Sequence, residues 1–138
     1  MITRDLLAIE RHLQRIEGQQ IRSCLDLVID AYWLEPTPED LELGRIAKFP
    51  HCIMRPGRSA SDAMLEFLGR HLRQVSGQPQ PGDCLAMSIK TGREYPDHLG
   101  VLTSYGLYHY ELRGKVVVVA PSVKLSQMQA RTMAVFRP

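Results

Sequence analysis

Cysteine is scarce in this chain, and the three present, Cys24, Cys52 and Cys84, include no CxxC pair. An odd count without that spacing indicates neither a disulfide framework nor a zinc ribbon, and at least one thiol is expected to be free. His51, Cys52, His71 and Cys84 match no metal-ligand spacing, so no metal or cofactor is expected. A strong charge of one sign is also missing. With a formal net charge of +2 and scattered basic residues, the chain offers no footprint for nucleic acid. No apolar run approaches membrane-spanning length, and charged residues enter within the first turns, so neither an anchor nor a signal peptide is expected. Such a chain reads as one made in the cytoplasm. Repeats and low-complexity tracts are lacking too, and 138 residues suit a single domain, 1–138, with its own core.

Two kinds of pattern divide the chain. Residues 1–18 read as an amphipathic helix, with Thr3 as cap, Ile2 and Leu7 as a hydrophobic staple, Leu6, Ile9, Leu13 and Ile16 on one face, and Gly18 as stop. A second, largely buried helix follows Ser23, with Asp26 and Asp30 as its narrow polar stripe, and cannot run far past Leu34 because of Pro36 and Pro38. A long connection to about residue 58 holds at most a helical turn at Pro38 to Leu43. A third helix starts near Ser59 or Ser61, with Met64, Leu65, Leu68, Leu72 and Val75 on one face. Arg70, His71 and Arg73 on it read as a solvated basic face.

From Pro81 the periodicity changes. Strand-like runs occur at Cys84 to Ile89, His98 to Thr103, Leu107 to Leu112, Lys115 to Ala120 and Arg131 to Arg137. Their short connections predict an antiparallel meander, with one short helix at Ser122 to Gln129 before the last strand. Helices followed by an antiparallel sheet make an α+β domain, the N-terminal helices packed on the C-terminal sheet.

Chemistry concentrates at the start of the second helix. Ser23 reads as its cap, which puts Cys24 at the first helical position, where unpaired backbone N–H groups and the helix dipole favour thiolate. Arg22 pushes the same way, and the Asp26 carboxylate pushes back. His98 and His109 fall on adjacent expected strands within cross-strand range. Gly100 shares the face of His98 and leaves room for close packing, with the Cys24 helix as the expected neighbour. A thiol at a helix start, a histidine base and a second polar group orienting that base form the layout of a cysteine nucleophile site. Gln19 or Gln20 could offer a side-chain N–H to an oxyanion, or be plain loop residues.

The succession SCLDLVIDAYW, PGDCLAM, HLGVLTSYGLYHY, a valine-rich strand and MAVFRP resembles the NlpC-type peptidoglycan cysteine peptidases. It looks most like those at the tail tip of long-tailed bacteriophages and gene transfer agents. The resemblance spans most of the chain, with residues 35–80 similar only in helix placement. It implies a compact papain-like α+β domain in which Cys24 is the nucleophile, His98 the general base and His109 the residue that orients it. It also implies peptidoglycan stem peptides as substrate and phage tail-tip or hub proteins as partners, hence a place at the virion tail tip. Members usually carry aspartate just before the cysteine and glycine at the position of Asp26, and a tyrosine in a longer upstream loop. Here the first two positions are Ser23 and Asp26 and the loop is short. An inactive domain kept for architecture is therefore the alternative.

With no signal peptide, such a domain is expected to need a carrier, docked through its own surface. The segment from Glu35 to Arg58, with Leu41, Leu43, Ile46, Phe49, Ile53 and Met54 among prolines, is the expected docking element, or else a cover over the domain's own core.

Overall fold

A computed structural model describes residues 5–21, 23–39, 58–88, 94–111, 114–120 and 131–138, with backbone only for 58–60. These residues form helices α1 (Leu6–Ile16), α2 (Cys24–Tyr32) and α3 (Arg58–His71). They also form strands β1 (Arg73–Val75), β2 (Cys84–Met87), β3 (His98–Thr103), β4 (Gly106–Glu111), β5 (Val116–Val119) and β6 (Thr132–Arg137). The strands make one antiparallel sheet in the order β1-β6-β2-β3-β4-β5. The domain is thus α+β, as the change of periodicity at Pro81 implied.

Local chemistry sets the helix ends. Asp5, not Thr3, caps α1, its carboxylate accepting the Ala8 N–H at 2.9 Å. Ile2, the other half of the expected staple, lies outside the described residues. Ser23 caps α2 as expected, its Oγ accepting the Asp26 N–H at 3.2 Å. That helix ends with Trp33 in the left-handed region, φ 58°, while the Leu34 N–H closes back on the Ile29 carbonyl at 2.9 Å. Tertiary pairing overrides the helical period in α3. The chain leaves the helix at His71 and enters β1, so Val75, expected on the helix face, pairs with Val135 of β6 instead. The expected basic face is also altered. Arg70 is bound by Glu66 at 2.8 Å and Glu39 at 2.6 Å, and His71 is buried against the Phe67 ring.

The meander holds from β2 to β5, but β6 crosses back to the far side of β2 rather than lying beside β5. The outer edge of β5 is taken by the connector between α1 and α2. The Gly18 N–H donates to Val117, the Val117 N–H to Gln19, and the Ile21 N–H to Lys115. This pairing brings the start of α2 to the sheet. Pro38 and Glu39 are helical, where the turn at Pro38 to Leu43 was expected to begin; residues 40–57 and the expected helix at Ser122 to Gln129 lie outside the described residues.

Apolar side chains divide between the two sheet faces. Ile9 and Leu13 of α1, Leu25, Leu27 and Val28 of α2, and Met64, Phe67 and Leu68 of α3 share one buried cluster with Leu99, Val101, Tyr108, Tyr110 and Val117. Leu85, Met87, Leu102, Leu107 and Val135 form a second cluster on the other face. α1 is pinned to the sheet by two acids. Glu10 accepts the Ser104 N–H at 2.5 Å, and Glu17 accepts the Tyr108 hydroxyl at 3.3 Å.

Two outcomes follow from this packing. Leu27 has no exposed surface and Leu7 is more than half exposed, so Leu27→Ala should cost about 2–5 kcal/mol in chemical denaturation while Leu7→Ala stays within about 0.5 kcal/mol. The Tyr108 phenol is pushed up to about 12, first by burial and then by Glu17. A raised value in the fold means its stabilising contribution is intact below the unfolded value of roughly 10 and disappears as pH rises through about 12. Alkaline denaturation followed by far-ultraviolet dichroism should show this loss in wild type, and Tyr108→Phe should flatten the dependence in that window.

Candidate active site

Cys24 occupies the first residue of α2, directly after the Ser23 cap. The cap holds the Asp26 N–H, and α2 packs against β3 and β4. The cysteine side chain is fully buried in the cluster shared by the helices and the sheet. Asp26 lies in the same turn, so the carboxylate expected to oppose thiolate formation is there.

His98 is the first residue of β3, directly after Asp97, whose N–H donates to the Met87 carbonyl at 2.8 Å. On β4, His109 sits opposite Gly100. Because Gly100 lies two residues after His98, the two histidines are diagonal neighbours on one sheet face. Their rings meet edge to face, centroids 5.4 Å apart and planes at 79°, with His98 Nε2 3.3 Å from His109 Nδ1. A neutral pair can share one hydrogen bond there, one ring donating and the other accepting. With Nε2 facing His109, Nδ1 is the His98 nitrogen turned away from its partner.

Strand alternation decides what else can reach the pair. Leu99, Val101, Tyr108 and Tyr110 go to the face packed by α2, whereas His98, Gly100 and His109 share the parity of Leu102 and Leu107 on the other. The space above Gly100 is filled by Leu107, not by α2 as expected. A Cβ at Gly100 would lie 2.9 Å from Leu107 Cδ1 and 3.1 Å from the Tyr108 carbonyl oxygen. The structure therefore brings the two histidines together and seats Cys24 over the same two strands from the helix side. By parity alone the imidazoles belong to the face opposite α2, and His98, as the first residue of β3, lies at the rim of the sheet. Beside that position the pairing of β2 with β6 is irregular between Ala86 and Met87, and such irregularities re-aim nearby side chains.

Tyr110 is the site residue that sequence reasoning missed. Burial raises its phenol, and Cys24 and Asp26 raise it further, so its hydroxyl feels the start of α2. Strand parity was the available signal, since Tyr110 alternates with His109 and faces the helix. The Gln19 side-chain amide gives one of its two N–H groups to the Arg15 carbonyl at 3.2 Å. Gln20 stays in the connector, bridged to Val116. Among the described residues no group of three or more acidic, histidine or cysteine side chains could hold a metal ion.

The chain matches no protein-family model and no curated protein.

Proposed function

We propose that this chain is a cysteine peptidase or amidase with the papain-like fold of the NlpC type, cutting peptidoglycan stem peptides at a phage tail tip. The observation that carries the reading is the His98–His109 contact at 3.3 Å on the two strands against which the Cys24 helix packs. In this mechanism the Cys24 thiol gives its proton to His98, and the thiolate attacks the scissile carbonyl. The tetrahedral species collapses to a thioester as His98 returns the proton to the leaving amine. Water, deprotonated by the same imidazole, then releases the acid and restores the thiol. His109 holds the His98 ring in one orientation throughout. Carriers on this reading are tail-tip or hub proteins.

A specific observation favours a second reading. Cys24 has no exposed surface, and His98 and His109 are 2% and 6% exposed. Buried groups of this kind, with Asp26 in the same turn, also suit a domain that keeps the peptidase architecture as a structural part of the tail tip.

Purified cell walls incubated with the protein and analysed by mass spectrometry separate the two readings. Wild type should release peptides, Cys24→Ala none, and His98→Ala should be slower by about 10²–10⁴-fold. If no wall type yields a product that depends on Cys24, the peptidase reading fails and the structural one stands.

A further inference from the structure

The connector decides which end of the sheet receives the start of α2. Gly18 and Gln19 pair with Val117 of β5 and Ile21 with Lys115, so the chain runs toward the end where β4 stops at Glu111 and β3 begins at His98. Cys24 follows three residues after Ile21. Tyr110 is the last residue of β4 on the face that α2 packs against, and it shares the buried cluster of Cys24. Tyr108, the preceding residue on that face, gives its hydroxyl to Glu17 of α1. The Tyr110 phenol is raised by burial first, then by Cys24 and then by Asp26, so both groups lie within electrostatic range of its hydroxyl. A phenol held neutral beside two acidic groups is an O–H donor.

We propose that Tyr110 is a thiolate-stabilising residue of the Cys24 site, its hydroxyl donating a hydrogen bond to Sγ as the thiol ionises. The assignment rests on the peptidase reading for its place in the reaction. The thiol proton leaves to His98 as in that mechanism, and the phenol keeps its own. A hydrogen bond is stronger to a charged acceptor than to a neutral one, so the contact favours thiolate. It thereby offsets Asp26, whose carboxylate favours the protonated thiol. The other titratable groups on elements packed against α2 are bound elsewhere or stand at the sheet end. His12 of α1 binds Asp30 and Glu17 binds Tyr108, while His98 opens β3 and Glu111 closes β4. On the α2 side of β3, Leu99 and Val101 carry no charge.

Infrared spectra of the full chain at neutral pH report the S–H stretching band, and the part lost in Cys24→Ala belongs to Cys24. Measured against the fully protonated band in acid, the thiol-to-thiolate ratio of Cys24 should rise about tenfold in Tyr110→Phe. The melting curve should stay close to wild type, and the rise should persist in the Asp26→Asn background. With Tyr110 intact and ring-labelled, its Cζ resonance should move on Cys24→Ala, a readout that needs no change at the tyrosine. On cell walls, Tyr110→Phe should lower kcat about tenfold with KM little changed. An unchanged ratio in folded Tyr110→Phe, a rise that vanishes with Asp26→Asn, or a Tyr110 resonance indifferent to Cys24→Ala would each overturn the proposal. Walls left uncut by wild type would sink the peptidase reading alone, and release by wild type with an unchanged ratio would sink the Tyr110 assignment alone.

Discussion

The Asp83 carboxylate joins the parts of the fold that the site depends on. It is fully buried and accepts both Nε and Nη2 of Arg137 on β6, at 2.8 and 2.9 Å, together with the Gln80 N–H at 2.9 Å. A buried carboxylate is tolerable only when so satisfied, and the pairing fixes the last strand against the central one. Gly82, one residue earlier, takes the Tyr32 hydroxyl on its carbonyl at 2.9 Å and gives its own N–H to Leu102 at 2.7 Å. The turn before β2 therefore ties the end of α2, β3 and β6 to one point. With its far end held there and its near end held by the connector on β5, α2 has little freedom to slide. The position of Cys24 is consequently a property of the whole sheet.

The two-sided sheet is what gives the site its unusual form. A histidine pair needs only two neighbouring strands in register, and β3 and β4 supply that. A thiol working with the pair needs in addition a helix end placed at the rim, because alternating residues look to opposite faces. Tyr110 and His109 illustrate the division, adjacent in sequence and facing different neighbours. Leu107 over Gly100 reinforces it, since the gap that a glycine opens has been closed from within the sheet.

α2 itself presents three surfaces with different chemistry. Leu25, Leu27, Val28 and Ala31 are consumed by the core, the first turn carries Cys24, and Asp26 and Asp30 lie on the opposite, outward side. Nine residues thus serve packing, the placement of Cys24 and an outward polar stripe.

By itself the sequence determined the features that arise within a few residues of one another. Ser23 capping α2, the end of that helix before Pro36, the change to period two after Pro81 and the tight turn from β3 to β4 are all local chemistry. So is the nearness of His98 and His109, because a two-residue turn and strand periodicity leave few alternatives. Tertiary structure alone decided what depends on distant partners. The helical period of α3 runs on to Val75, but free edge groups on β6 captured residues 73–75 as a strand. The return of β6 to β2 rests on Arg137 meeting Asp83 across 54 residues. The sequence pattern set the Cys24 helix over Gly100, but Leu107 fills that space and α2 covers the face of Tyr110 instead. Both faces of β3 and β4 are apolar enough to be buried, and only the competition among all the helices for one of them settles it.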